Sequence, residues 1–346
     1  RPIADIVDER AVVNAIVGLL ATGGSSNHTI HLVAIARAAG IVVDWNDFDT
    51  LSRAVPLLAR VYPNGEADIN QFHAAGGVGT VMRELIERDL LHLDVKTVVG
   101  DTLADYTREP CSEDGELVHR ASPAAGQAPE IIAASDKPFA PEGGMRLVDG
   151  NIGRAVVKIS AVDPKHWVVE APVRVFDSQG GVHDAYAAGE LNRDVVVVVR
   201  GQGPRANGMP ELHKLMPPLA ILQEKGFRVA LVTDGRLSGA SGVVPAALHV
   251  SPEAAADGAI AKLRDGDVVK LDCATGELTV AVDQARLSAR QSAAVAPSEN
   301  GLGREMFGVF RDSVNGAEQG ASVIKTECDG VAVATCIEEE RLHASV

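Results

Sequence analysis

Residues 194–200 read DVVVVVR and residues 227–234 read FRVALVTD. Neither run alternates apolar with polar positions, so neither is a strand with one face in water. A short run that is apolar at every position is a strand covered on both faces, as in a parallel sheet flanked by helices. Further along, DGDVVKLD (265–272) and GELTVAVD (276–283) are Val-rich and bounded by Gly and Asp turns. The stretch LDCATGELTVAVD (271–283) reads as a hairpin turning at Ala274-Thr275-Gly276. From about residue 150 the chain is therefore expected to be mixed α/β, with a substantial sheet of open or barrel-like form. Upstream the texture differs: AVVNAIVGLLA (11–21), HLVAIARAAGI (31–41) and VMRELIERDLL (81–91) carry apolar residues near helical period. Residues 1 to about 135 are expected to be helix-rich. Between the two, residues 108–145 include REPCSEDGEL and SDKPFAPEGG, polar and rich in Pro and Gly, and read as the connection.

The length of 346 residues fits two domains at roughly 150 residues each. Hydrophobic residues at 46% and charged residues at 23% match folded chains and exclude disorder over most of the length. Lys plus Arg total 32 against 47 Asp plus Glu, a net charge of -15, which disfavours binding a polyanion; nucleic acid is not an expected partner. Four cysteines, Cys111, Cys273, Cys328 and Cys336, show no CxxC spacing, so neither a disulfide framework nor a zinc finger is indicated, and a reducing cytoplasm is the simpler setting. No apolar run is long enough for a membrane span, and no signal-peptide pattern opens the chain.

Several common chemistries fail on their motifs. GGVGTVM (76–82) and GLGREM (301–306) lack the third Gly of a dinucleotide fingerprint, and neither GxxxxGK[ST] nor HExxH occurs. The loop LSGASG (237–242) is not GxSxG, because Arg236 stands two before Ser238 and Val243 two after Ser241.

Three loops survive as candidate sites, each at the end of an expected element. The first, Thr22 to Thr29, precedes a helix. Its exposed N–H groups, with Gly24, Ser25, Ser26, Asn27 and His28, suit a phosphate or carboxylate, although helix capping by Ser or Asn explains the same residues. The second, Arg200 to Glu211, follows the first Val-rich run. Glu211 could bind a hard cation there, with Arg205 or Lys214 meeting an anionic substrate; a solvated turn with Glu211 in a first helical turn is the alternative. The third, Thr233 to Gly242, follows FRVALV and contains Arg236, a candidate substrate-binding cation, and Ser238. A serine hydroxyl needs a metal or strong donors before it acts as nucleophile or base, and no His lies in the loop to help it. Two successive strand-to-loop units can bring Glu211 and Ser238 to one edge of one sheet.

Together TGGSSNHTIHLVAIARAAGI (22–41), YPNGEADINQFHAAGGV (62–78), NGMPELHKLMPPL (207–219), LVTDGRLSGASG (231–242) and GAEQGAS (316–322) resemble the 6-phosphogluconate dehydratases, within the superfamily of dihydroxy-acid and sugar-acid dehydratases. The likeness covers about residues 1–322 and lies closer to the phosphogluconate branch than to the branched-chain amino-acid branch. It implies dehydration of 6-phospho-D-gluconate to 2-keto-3-deoxy-6-phosphogluconate in the Entner-Doudoroff pathway. It also implies an iron-sulfur cluster (4Fe-4S) acting on the leaving 3-hydroxyl, and Mg²⁺ or Mn²⁺ holding the substrate carboxylate and 2-hydroxyl. Glu211 matches a cation ligand of that family, and Ser238 the serine that takes the C2 proton. The implied architecture is the latter part of an N-terminal α/β domain (1–145), a C-terminal swivelling α/β domain with a β-barrel-like core (146–322), and a tail (323–346). A homodimer is the implied assembly. The family's cluster cysteines have no match among the four present, so the expectation is a C-terminal portion that lacks the cluster and is inactive alone. The remaining expectations are a dehydratase of another sugar acid or dihydroxy acid, or a sugar-phosphate-binding fragment without turnover.

Overall fold

A computed structural model of the chain describes residues 1–125, 127–239, 242–295 and 306–324. Cys328 and Cys336, and most of the expected tail, lie outside the described residues.

The helix-rich expectation holds for the first part. Helices α1 (Glu9–Ala21), α2 (His28–Ala38), α3 (Trp45–Ala54), α4 (Ile69–Ala74) and α5 (Gly77–Ile86) follow in order. Asp8 caps α1 by accepting from Ala11 N at 2.8 Å. Asp44 and Asp47 form a reciprocal capping box at the start of α3, which satisfies N–H groups that have no partner inside the helix. One core joins Ile16, Leu20, Val33, Trp45, Phe48, Leu58 and Leu85.

Within the expected connection, residues 108–121 are not irregular. Strands β1 (Arg108–Glu113) and β2 (Glu116–Ala121) pair antiparallel as a hairpin. Its turn is Asp114-Gly115, with φ +50° and +83°, the Asp-Gly pair that suits a two-residue hairpin loop. The strands are exposed along much of their length, so no apolar alternation marks them. The rest of the connection packs back on the first part, through bridges Leu57 to Ala140 and Ala59 to Ile132.

The second part is a curled, eight-stranded sheet. Its strands are β3 (Met145–Val148), β4 (Arg154–Lys158), β5 (Val168–Phe176), β6 (Val195–Val199), β7 (Val229–Thr233), β8 (Ala246–Ser251), β9 (Val268–Asp272) and β10 (Glu277–Val280), in the spatial order β10-β9-β5-β6-β7-β8-β4-β3. The centre, β5 to β8, is parallel and both flanks are antiparallel. Edge meets edge just beyond β3, where Asp149 N donates to Gly276 O at 2.9 Å and Leu278 N to Asp149 O at 3.0 Å, nearly closing a barrel. β9 and β10 form the expected hairpin, with Asp272 opposite Glu277.

The all-Val run has the expected two covered faces. Val196 and Val198 point into the barrel with Ile152, Val169, Leu271 and Leu278. Val195, Val197 and Val199 point outward onto Leu215, Leu219 and Leu222, largely from helix α8 (Met216–Glu224), while Val182 comes from α6 (Gln179–Ala187). Short helices α7 (Pro204–Asn207), α9 (Gln284–Ser288) and α10 (Gly308–Ser313) complete the chain. Among the described residues no helix is long and apolar enough to cross a membrane.

Candidate active site

β6 and β7 are parallel neighbours, so the loops leaving their C-terminal ends emerge on one edge of the sheet. Asp234 fixes both. Fully buried, it accepts from Gly201 N (3.0 Å), Gln202 N (2.9 Å) and Ala254 N (2.9 Å), tying together the chain after β6, β7 and β8. Burial raises its carboxyl above the usual range, against the pull of those N–H groups.

Farther out, the two loops pair through a bridge of Glu211 with Arg236. Arg236 Nη1 donates to Glu211 Oε2 at 2.7 Å and Arg236 Nε to Met209 O at 2.7 Å. Glu211 Oε1 is buried and, among the described residues, has no hydrogen-bond partner. The two residues singled out separately from the sequence, a cation ligand and a substrate-binding cation, are thus partners of one another. Arg236 also lines a cavity of about 320 Å³ with His31, Met209 and Val314.

The Thr22 to Thr29 loop docks on the third loop. Asn27 Nδ2 donates to Leu237 O at 3.2 Å, and a Cβ on Gly239 would stand 2.9 Å from Ser25 Cβ. Ser26 is buried and its carbonyl accepts from Thr29 Oγ1 at 2.8 Å. Gly24 and His28 turn the other way, onto a mostly apolar cavity of about 610 Å³ against α1 and α5. The structure therefore brings Ser25, Asn27, Arg236, Glu211 and the Ser238 segment into one neighbourhood. Arg205 points elsewhere: Nη2 donates to Val314 O at 3.4 Å, and the residue lines a separate cavity with Arg154, Glu253 and Glu318. Lys214 is exposed in the turn His213–Leu215.

Two residues that the sequence reading passed over stand beside these loops. Lys158, at the end of β4, is 7% exposed and donates from Nζ to Gly239 O at 3.1 Å; burial lowers its ammonium to about 8. His249 is fully buried in β8 with φ +62°, where the pairing with β4 slips, and its N donates to Gly235 O at 3.0 Å. Its ring lies 6.3 Å from that of Trp45, and its Nδ1 is 3.5 Å from Thr29 Oγ1. Thr29 gives its own proton to Ser26 O, so toward His249 it accepts. That assigns Nδ1–H and leaves Nε2 as a buried lone pair with no partner among the described residues. Burial first, then the Arg236 and His31 charges, push His249 down to about 3. The one signal for either residue was a titratable side chain in or ending an apolar run: AVVKIS (155–160) and AALHVS (246–251).

Among the described residues no group of three or more His, Cys, Asp or Glu is arranged to hold an ion. Cys273 is fully buried, with its thiol pushed up to about 12, and Cys111 lies on the β1–β2 hairpin. These two do not fit an iron-sulfur cluster. Glu211 Oε1, buried and unpartnered, does fit one ligand position of a hard cation.

This fold and this loop edge belong to a class: the chain is a member of the dihydroxy-acid/6-phosphogluconate dehydratase family. Residues 130–321 match the model of the family's C-terminal part, and residues 1–106 that of its N-terminal part. Among relatives, the chain is 58% identical to the phosphogluconate dehydratase of Pseudomonas aeruginosa over 95% of this chain and 54% of that protein. Against the phosphogluconate dehydratase of Escherichia coli K12 the values are 56%, 93% and 54%. A dihydroxy-acid dehydratase of Nitratidesulfovibrio vulgaris is 38% identical over 91% of this chain and 55% of its own length. The chain spans about half the length of the curated relatives it matches. The resemblance read from the motifs holds, and identity to these phosphogluconate dehydratases exceeds that to the dihydroxy-acid enzyme.

Proposed function

We propose that the chain serves as the substrate-binding and proton-abstracting part of a hydro-lyase that converts 6-phospho-D-gluconate to 2-keto-3-deoxy-6-phosphogluconate. The observation carrying this reading is the 58% identity to a phosphogluconate dehydratase over 95% of the chain. Ser238, as alkoxide, takes the proton from C2. The C2–H electron pair becomes the C2=C3 bond and the C3–O bond breaks with its electrons, so the 3-hydroxyl leaves as hydroxide; one proton makes it water, and the proton gained by Ser238 closes that balance and restores the alkoxide. The enol left behind tautomerises to the 2-ketone, so no net oxidation occurs. Arg236 and the Thr22 to Thr29 loop orient the anionic substrate, and Asp234 holds the loop edge rigid. Mg²⁺ or Mn²⁺, taking Glu211 as one ligand, would supply a positive field that acidifies C2–H. The 4Fe-4S cluster implied by the resemblance finds no ligand set among the described residues, and no step is assigned to it. A homodimer remains part of the proposal, from the resemblance.

The test is anaerobic turnover of 6-phosphogluconate by wild type and Ser238→Ala, with iron content and substrate affinity measured on the same samples. The expected result is a fall in kcat of roughly 10³-fold with substrate still bound. Equal turnover by Ser238→Ala would remove Ser238 from the reaction. Wild-type binding without turnover would make the chain a sugar-phosphate-binding fragment.

A further inference from the structure

Ser238 lies between two carbonyls, each held by a side chain from a distant part of the chain. Asn27 Nδ2 donates to Leu237 O at 3.2 Å on one side, and Lys158 Nζ donates to Gly239 O at 3.1 Å on the other. Ser25 presses on Gly239 from the first loop, since a Cβ there would come within 2.9 Å of its Cβ. The Lys158 stem runs past Gly242, whose added Cβ would lie 3.9 Å from Lys158 Cδ.

Lys158 is an expensive residue in this place. Its side chain is buried, and an ammonium out of water is unfavourable unless something uses the charge. A methionine would fill similar space without that penalty. Among the described residues the neutral Gly239 carbonyl fixes the ammonium's position, and a neutral acceptor offsets little of the desolvation of a buried charge. What the location does provide is a fixed positive charge one residue from a hydroxyl that must become an alkoxide.

Resting on the dehydratase reading above, we propose that Lys158 is a positioning residue for Ser238. It anchors the Gly239 carbonyl, holding the serine against the Asn27 side of the clamp, and its charge favours the serine alkoxide over the hydroxyl. Lys158 touches neither substrate nor reacting atoms in this role; it acts through the loop and through its field.

The experiment compares the full chain as wild type, Lys158→Met and Lys158→Arg, in steady-state kinetics with 6-phosphogluconate and in amide hydrogen exchange over residues 235–239. Lys158→Met is expected to lower kcat roughly tenfold or more while KM stays within about twofold, and Lys158→Arg to recover most of the loss. Exchange over 235–239 should rise about fivefold in Lys158→Met and much less in Lys158→Arg. Wild-type kcat and wild-type exchange in Lys158→Met overturn the proposal. Equal losses in both variants, falling mainly on KM, also overturn it, because the charge then does nothing that packing does not. If the chain does not turn over, as expected of a part lacking the cluster, the exchange comparison decides alone: wild-type exchange over 235–239 in Lys158→Met overturns the proposal, and a rise that Lys158→Arg reverses supports it.

Discussion

The barrel region and the helical region bury their apolar surface differently. Around β6 and β7 both faces of the sheet are filled, by Val196, Val198 and Val232 inward and by Val197, Leu219 and Leu231 outward. The helical region instead leaves a cavity of about 610 Å³ against Leu19, Leu32, Val81, Met82 and Leu91, with Val78 and Val98 exposed beside it. Yet the loop that the helical region sends across is fastened to the barrel's loops by Asn27 and pressed there by Ser25. The barrel sets the position of the reactive edge, and the helical region reaches it through one well-anchored loop. If that division is right, damage to the barrel's rim should cost most. In Asp234→Ala three backbone N–H groups lose their acceptor inside the protein. Buried donors left unmatched cost ~1–3 kcal/mol each, partly relieved by entering water, so denaturant unfolding should show a loss of about 4 kcal/mol. A loss under about 1 kcal/mol would mean the rim is not organised by this carboxylate.

Sequence alone made the strands and helices legible because their signals are local. DVVVVVR needs only its own seven positions to declare two covered faces, and LDCATGELTVAVD carries its turn within it. The β1–β2 hairpin escaped because its exposed strands leave no apolar alternation, although Asp114-Gly115 was there to be read. At the site, Ser238, Glu211 and Arg236 stood out as polar residues in Gly-rich loops, but their partnership did not. The Glu211–Arg236 pair, the Lys158–Gly239 contact and the His249–Thr29 contact join residues far apart in the chain, and only the closed sheet brings them together. His249 was the least legible: a slip in the β4–β8 register turns its backbone to φ +62°, which no single-sequence period encodes.

The contrast in packing can be sharpened by one pair of truncations. Leu231 is fully buried in β7 among filled neighbours, whereas Leu91 is 9% exposed and lines the open apolar cavity. Leu231→Ala creates a new void and should cost about 3.5 kcal/mol; Leu91→Ala enlarges one that already exists and should cost about 2 kcal/mol, the transfer part alone. Equal costs in denaturant unfolding would show that the cavity is closed in solution, and the difference between the regions would vanish.

A pH-dependent test asks whether the two regions are coupled where they meet. His249 comes from the barrel's β8, and its neighbours Thr29 and Trp45 come from the helical region. Its folded pKa of about 3 lies below the 6.5 of a free imidazole, so the folded protein favours the neutral ring. That contribution is complete above pH 6.5 and is lost as pH falls toward 3, at up to about 1.4 kcal/mol per pH unit. Asp234 and Glu253, whose carboxyls burial raises, change stability in the opposite sense on acidification, but they do so equally in a protein lacking the imidazole. The difference in unfolding free energy between wild type and His249→Gln therefore isolates the ring. Between pH 6 and 4 wild type should lose stability faster than the variant, and parallel curves would mean that protonated His249 is accommodated by opening the junction between the regions.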